Sequence, residues 1–198
     1  MKSLTTFEDL KELYEKDFYR WVYENLRLLK EGKYELVDWD NLLEEIEDMG
    51  RILKRSLISY IAVILEHMYK LDNLLPYSHY DTDMFEEGGH SWRRSIANAS
   101  TEIEKILDDS PSLLRYLEDF SQQAWKYARN DIVAFIKSLE YGKVINASKR
   151  DELLRNIPEK LPYTLEEIAD KVAEVAKEDN AFAQYIQRYK KGQKPGEP

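Results

Sequence analysis

The most concentrated chemistry in the chain is an acidic block, formed by Glu44, Glu45, Glu47 and Asp48. Hard cations such as Mg²⁺ bind carboxylate oxygens, so the block suggests metal-assisted hydrolysis of a nucleotide or nucleic acid. That chemistry needs several converging carboxylates, and the second acidic motif that would complete the site, Glu167 with Asp170, lies more than a hundred residues further along the chain. Acidic residues near a helix N-terminus are also stabilised by the helix dipole. We therefore predict no metal and no catalytic residue here, and keep a metal-dependent hydrolase as the alternative.

Within this block, Glu45 is the acid that we expect to be half-buried. On a helix that turns ~100° per residue, it falls ~60° from Leu42 on an apolar stripe, and Asp48 falls twice as far away. A half-buried carboxylate needs a partner or a shifted pKa. We predict a structural ion pair between Glu45 and a cation. The candidate cations are Arg20, Arg51 and Arg93.

His67 falls inside the same apolar stripe. A lone histidine on such a face is in most cases a satisfied core residue, so we predict a structural role for it. It follows Glu45 by 22 residues, which is roughly 33 Å along a continuous helix, and this separation excludes a shared catalytic site. Its candidate partners are Lys70, Trp92 and Arg93. The residues from which a functional polar site would be built are Glu45, Asp48, His67, Trp92 and Arg93.

Several catalytic classes lack the residues that they require. The chain contains no cysteine, which removes disulfides, thiolate zinc sites, iron–sulfur clusters and cysteine nucleophiles. A diiron carboxylate bundle requires Glu-x-x-His twice, and Ile64 stands where the acid before His67 would be. The sequence also has no Gly-rich phosphate loop, Ser-centred elbow or dinucleotide fingerprint. We predict neither a cofactor nor a metal.

The elements that position these residues are helices, and one of them dominates. Between Asp40 and Leu71 apolar residues recur at 3-4 spacing, which places them on one stripe of a helix about 48 Å long. The members of this stripe are Leu42, Ile46, Met49, Leu53, Leu57, Tyr60, Ile64 and Leu71. The members that we expect in the core are Leu53, Leu57, Tyr60 and Ile64.

Capping residues, glycines and prolines mark the ends of the other helices. The predicted helices run from about residue 6 to 31, 40 to 71, 92 to 107, 111 to 139, 149 to 156, and from 165 onward. A loop over 73–91, with two adjacent glycines and surplus acid, is expected to be the most mobile internal segment. The sequence predicts one all-α domain over 1–189, a bundle of about six helices organised by the long helix at about 40–71, and a disordered tail over 190–198.

Charge and hydropathy narrow the partners and the compartment. The net charge is −9 with acids in every predicted helix, which makes a nucleic-acid partner unlikely because a phosphate binder needs a clustered basic face. The first residues lack the apolar core of a signal peptide. The longest apolar runs, such as 60–65, are too short to cross a bilayer. We expect a cytoplasmic protein with no membrane association.

Four ordered blocks of the sequence carry a family resemblance. The blocks are LYEKDFYRW at 13–21, DWDNLLEEIEDMG at 38–50, SWRRSI at 91–96 and PYTLEE at 162–167. In this order and at this spacing they resemble the bacterial family called "domain of unknown function 29", from about residue 13 to 170. The resemblance implies an all-helical, soluble domain of bacterial type. It implies no activity, because the family is named for the lack of one.

The sequence therefore favours a non-enzymatic module over an enzyme. Each catalytic constellation is incomplete, so we predict an accessory protein that presents helical surface to a protein partner or to another copy of itself. Whether the protein has any enzymatic activity stays uncertain at this stage. A cleft that gathers three carboxylates and a histidine would favour the hydrolase, whereas a filled core with a flat apolar patch would favour the module.

Overall fold

The computed structural model describes residues 7–80, 89–176, 182 and 184–186, and every regular element in these ranges is a helix. The α-helices are α1 (Phe7–Lys16), α2 (Phe18–Lys30), α3 (Trp39–Asn73), α4 (His90–Asp109), α5 (Leu117–Tyr141), α6 (Ala147–Arg155) and α7 (Leu165–Ala176). Three short 3-10 helices lie at Tyr34–Leu36, Leu75–Tyr80 and Pro111–Tyr116. The all-α class and the long helix, here α3, are confirmed.

The first predicted helix is two helices. Asp17 interrupts it, and the Asp17 carboxylate accepts a hydrogen bond from the backbone N–H of Arg20 at 3.1 Å. An aspartate in this position satisfies one of the free N–H groups of a new helix, so α2 begins at Phe18. Apolar periodicity could not show this break, because the apolar residues continue in register across it.

By its internal contacts the chain divides into two compact units, Met1–Leu53 and Lys54–Pro198, which we call the N-terminal and the C-terminal unit. In the N-terminal unit, α1 packs against α2. The buried apolar side chains of that unit are Leu10, Leu13, Trp21, Leu28 and Val37. Tyr14 meets the Trp21 ring edge-on, with ring centroids 5.0 Å apart. This is a small core for three helices.

The C-terminal unit has a much larger core, built where α4 packs against α7 and α5 against α6. Thirty-one buried apolar side chains form one cluster, to which α3 contributes its second half. Leu57 and Ile64 are fully buried there, as the apolar stripe predicts. The indole of Trp125 is also buried, and its N–H donates to the carbonyl of Pro158 at 3.3 Å. The aromatic residues of this unit are mainly packing residues.

The first half of the apolar stripe is exposed, and this corrects the sequence-based core. Leu53 is 38% exposed rather than buried, and Tyr60 is only half-buried. Ile46 and Met49 are exposed by 56% and 66%. Of the stripe members in the N-terminal unit, Leu42 is the one that packs partly against that unit's core. Periodicity defines which face is apolar, but it does not show whether enough neighbouring surface exists to cover that face.

The predicted capping signal of α7 is present, whereas parts of the predicted loop and tail cannot be compared with the structure. Thr164 and Glu167 form the predicted capping box: Glu167 Oε2 accepts from the Thr164 N–H at 2.7 Å, and Thr164 Oγ1 accepts from the Glu167 N–H at 3.2 Å. The backbone N–H of Thr164 lowers the pKa of the Glu167 carboxyl. Residues 81–88 of the expected mobile loop over 73–91, and the expected tail over 190–198, lie outside the described residues.

Candidate functional site

A buried polar network in the N-terminal unit is centred on Asp38, the residue before α3. Its Oδ2 accepts hydrogen bonds from the indole N–H of Trp21 at 3.1 Å and from the side-chain amide of Asn41 at 2.7 Å. The backbone N–H of Asp38 donates to Asn25 Oδ1 at 2.9 Å, and the Asn25 amide donates to the carbonyl of Trp21 at 3.0 Å. Asp38 is fully buried. The network therefore joins α2 to the start of α3 inside one unit.

Glu45 has a different partner from the one that the sequence suggests. Its Oε1 accepts a hydrogen bond from the phenol of Tyr14 at 2.7 Å, so the partner is a neutral side chain on α1 rather than an arginine. This bond, with partial burial and the charges of nearby acids, raises the pKa of Tyr14 to about 12. Asp48 forms a local ion pair with Arg51, one turn along the same helix. Of the four acids of the block, Glu45 and Asp48 thus have partners within the N-terminal unit.

His67 lies in the C-terminal unit beside a buried cation. Lys70, on the same helix, pairs with Glu66 at 2.9 Å, and the two side chains are 5% and 14% exposed. The ammonium group of Lys70 lies 4.2 Å from the ring centroid of Phe135 and 5.4 Å from that of Trp92. Those two rings meet edge-on with centroids 5.7 Å apart. The group combines an ion pair with cation–π contacts, which stabilise an ammonium ion that is removed from water.

Asp131 on α5 extends this charged group. Partial desolvation and then the negative charge of Glu66 raise the pKa of its carboxyl, against the opposing effects of Lys70 and His67. His67 is therefore close enough to influence Asp131, and it is itself half-buried on α3. The sequence pointed to Lys70, Trp92 and Arg93 as candidate partners of His67; of these, Lys70 acts on the same carboxyl, Asp131, as His67 does.

Arg93 lies in the first turn of α4, next to Gly89. Gly89 adopts the left-handed conformation with φ +81°, and a Cβ built there would lie 2.7 Å from Leu71 Cδ2 and 3.1 Å from Arg93 Nη1. Both the backbone angle and the space require glycine. Trp92 is almost fully buried in the core of the unit. The start of α4 is thus held tightly against α3 by packing.

The five candidate site residues are divided between the two units. Glu45 and Asp48 belong to the N-terminal unit, whereas His67, Trp92 and Arg93 belong to the C-terminal unit. Within the described ranges, no group of three or more His, Asp or Glu side chains is arranged to hold a metal ion. None of the helices in the same ranges has both the length and the apolar character needed to cross a membrane. The Tyr14–Glu45 hydrogen bond and the Asp38 network join helices within the N-terminal unit.

The apolar surface is distributed unevenly between the units. Among the described residues, sixteen large apolar side chains are exposed, and twelve of them belong to the N-terminal unit. One group follows α2: Phe18, Tyr19, Val22, Tyr23 and Leu26. A second group, which we call the α3 seam, lies on α3 at 4-3-4-3 spacing: Trp39, Leu43, Ile46, Gly50 and Leu53. Exposed apolar side chains grouped in this way are candidates for an interaction surface.

In the ranges that the structure describes the fold is all-helical, and the N-terminal unit has twelve of the sixteen exposed large apolar side chains. A sequence model described as "Domain of unknown function DUF29" matches residues 13–172, and the chain belongs to this family. Comparison with curated proteins and with solved structures gives no match.

The family blocks now have a physical explanation. The first two blocks meet in the N-terminal unit through Tyr14 with Glu45 and Trp21 with Asp38. The third begins α4, and the fourth includes Tyr163, whose phenol donates to Asp72 Oδ2 at 3.0 Å. Burial, followed by the charge of Asp72, raises the pKa of Tyr163. In this chain the blocks therefore hold helices in place.

Sequence reasoning missed the roles of Tyr14 and Asp38 and the burial of Lys70. Asp38 had a visible signal, since it precedes a helix as a potential N-cap, but its burial depends on Trp21 from another helix. Tyr14 is one of fourteen tyrosines, and nothing in its local sequence distinguishes it. Lys70 follows Glu66 at the spacing of a surface ion pair. Its burial is a consequence of Trp92 and Phe135 on two other helices.

Proposed function

We propose that this protein is a non-enzymatic module that binds a protein partner through the apolar surface of its N-terminal unit. The observation that carries the proposal is the uneven exposure: twelve of sixteen exposed large apolar side chains belong to the smaller unit. Monomeric proteins rarely expose contiguous apolar patches larger than a few hundred Å² without a use for them. Aromatic residues such as Tyr19 and Trp39 are also of the kind that contributes most to protein–protein binding.

Net charge and composition support the choice of partner and of compartment. A net charge of −9 disfavours nucleic acid as the partner, because neutralising phosphates requires clustered Lys and Arg. We place the protein in the cytoplasm of a bacterial cell. A chain without cysteine is compatible with a reducing compartment.

Site-specific photo-cross-linking in the producing cell tests the proposal. A benzophenone amino acid replaces Ile46, which is 56% exposed on the α3 seam, and as a matched control it replaces Tyr141, which is 93% exposed in the other unit. Position 46 is expected to give discrete protein adducts on irradiation, and position 141 none. Mass spectrometry identifies the adducts. No adduct at position 46, or the same pattern at both positions, would contradict the proposal.

A thermal-shift experiment addresses the alternative, a metal-dependent hydrolase. A ligand that binds the folded state and not the unfolded state raises the melting temperature, and the rise increases with the ligand concentration. Adding Mg²⁺ or Mn²⁺ is expected to leave the melting temperature unchanged, because Glu45 is held by Tyr14 and Asp48 by Arg51. A metal-dependent rise that disappears in Glu45→Gln would reverse the order of the two functions.

A further inference from the structure

The α3 seam has the spacing of a two-helix interface. Its positions follow one another at 4-3-4-3 intervals, which is the heptad spacing that keeps one side of a helix facing another helix. Its four apolar side chains are between 38% and 56% exposed. The next position in the spacing, Leu57, is fully buried. The seam therefore covers 15 residues of α3, about 22 Å at the rise of an α-helix.

Gly50 lies in the middle of the seam and leaves a gap in it. A glycine inside a helix is destabilising relative to alanine, so its position calls for a reason. No atom lies within 4 Å of a Cβ built at Gly50, so packing within the chain does not require glycine here. A small residue at a seam position gives a second helix room to approach closely or to insert a side chain.

The charges along α3 decide the direction of a self-pairing. Residues 40–48 carry five acids and no base: Asp40, Glu44, Glu45, Glu47 and Asp48. Residues 49–56 carry three bases and no acid: Arg51, Lys54 and Arg55. Parallel pairing of two copies would place acid beside acid in the first half of the interface and base beside base in the second half, and both are repulsive. Antiparallel pairing places the acidic half of each helix beside the basic half of the other.

We infer that the α3 seam is the contact between two copies of this chain, paired antiparallel about a two-fold axis beside residues 46–50. This inference rests on the proposed function and names its partner. In this arrangement Ile46 of one copy packs over Gly50 of the other, and Leu43 packs against Leu53. A two-fold interface uses the same surface on both copies, and the seam with its opposed charges is self-complementary in this sense.

The molar mass of the full chain in solution provides the first test. Sedimentation equilibrium is expected to give twice the chain mass of 23.5 kDa. Ile46→Lys places two buried charges in each dimer and should weaken dimerisation by ~100-fold or more. Tyr141→Lys, the matched control in the C-terminal unit, should leave the dimer intact. A monomeric wild-type chain, or equal dissociation of both variants, would overturn the inference; circular dichroism shows whether each variant retains its helices.

The orientation can be tested by disulfide formation, since the chain has no cysteine of its own. A disulfide needs Cβ atoms ~4 Å apart. Leu43→Cys and Leu53→Cys chains of different mass, mixed and oxidised, are expected to give the mixed disulfide dimer. Leu43→Cys alone should stay unlinked, because antiparallel pairing separates the two copies of that position by ~15 Å along the axis. Efficient self-linking of Leu43→Cys would instead show parallel pairing and overturn the arrangement.

The cross-linking at position 46 separates this inference from the proposed function. An adduct of two copies, together with a dimeric purified chain, supports both. A discrete adduct with a different protein, together with a monomeric purified chain, overturns the self-pairing and leaves the proposed function standing. A monomeric chain without any adduct overturns both.

Discussion

The two units differ in how completely they bury their apolar side chains. Among the described residues, the C-terminal unit buries thirty-one of them in one cluster and leaves four large ones exposed. The N-terminal unit buries five and exposes twelve. A core of five apolar side chains is small even for a domain of about 60 residues, which is marginal on its own. The comparison teaches that one unit supplies stability and the other supplies surface.

The two units also differ in the kind of polar group that they bury. In the C-terminal unit, Glu66 and Lys70 form an ion pair covered by aromatic rings. In the N-terminal unit, Asp38 accepts two hydrogen bonds from neutral donors, the indole of Trp21 and the side-chain amide of Asn41. Hydrogen bonds of this kind specify geometry and add little net stability. Within the N-terminal unit, polar contacts therefore add to a small apolar core in holding α2 against the start of α3.

Truncating one side chain of α3 on each side of the boundary between the units should give the largest difference in the free energy of unfolding. Leu57→Ala removes a fully buried side chain and is expected to cost ~2–5 kcal/mol, because a cavity remains. Leu53→Ala, one turn earlier and 38% exposed, should cost less than ~1 kcal/mol in the monomeric state. Urea unfolding at low protein concentration measures both. Equal costs would mean that the seam is covered within one chain.

Lys70→Met should have the second largest effect. The change leaves the Glu66 carboxylate, which is 14% exposed, without its cation, and breaking a buried ion pair in this way costs ~3 kcal/mol. The double variant Lys70→Met/Glu66→Gln removes both charges and should recover more than half of the loss. The free energy of unfolding of the two variants gives the comparison. A double variant as unstable as the single one would show that the aromatic contacts of Lys70, and not the charge of Glu66, dominate.

Asp38→Ala tests the polar network of the N-terminal unit. The change leaves the buried indole N–H of Trp21 without an acceptor, which is expected to cost ~1–3 kcal/mol. Asp40→Ala is the matched control two residues later: its carboxylate is 81% exposed and pairs with Lys11 on the surface, so the loss should be below ~0.5 kcal/mol. Trp21 fluorescence during unfolding would report on this unit. Similar losses for both variants would refute a special role for Asp38.

Much of the fold could be predicted from the sequence, and the reasons are local. The capping box at Thr164 and the periodicity that defines α3 depend on residues within one or two helical turns. The break at Asp17 was missed because the apolar register continues through it. The exposure of Ile46 could not be predicted either, since burial depends on how many other helices cover a face. A pattern within one segment carries no information about that number.

The candidate site was less predictable for the same reason. Glu45 was rightly expected to be half-buried, because its angle on the helix follows from its position alone. Its partner was wrong, because the choice between Tyr14 and an arginine is made by how α1 meets α3. The grouping of His67 with Lys70 was accessible, since both lie on one helix.

The smallest expected effect concerns the Tyr14–Glu45 bond, and it is best measured as a pKa. The carboxylate of Glu45 accepts from the phenol and opposes its ionisation, which raises the pKa of Tyr14 from 10.0 to about 12. The pKa is raised in the folded state, so the bond contributes its full stability below pH 10 and loses it as the pH rises towards 12.

Glu45→Gln keeps an acceptor for the phenol but removes the charge. It should lower the pKa of Tyr14 towards 10.0 and change the stability at neutral pH only slightly. NMR titration of the ring carbon signals of Tyr14 measures the shift, and Tyr34, which is exposed in the same unit, serves as the internal reference. An unchanged Tyr14 pKa would show that α1 does not rest on Glu45. In that case the ordering of the N-terminal unit would depend mainly on the Asp38 network.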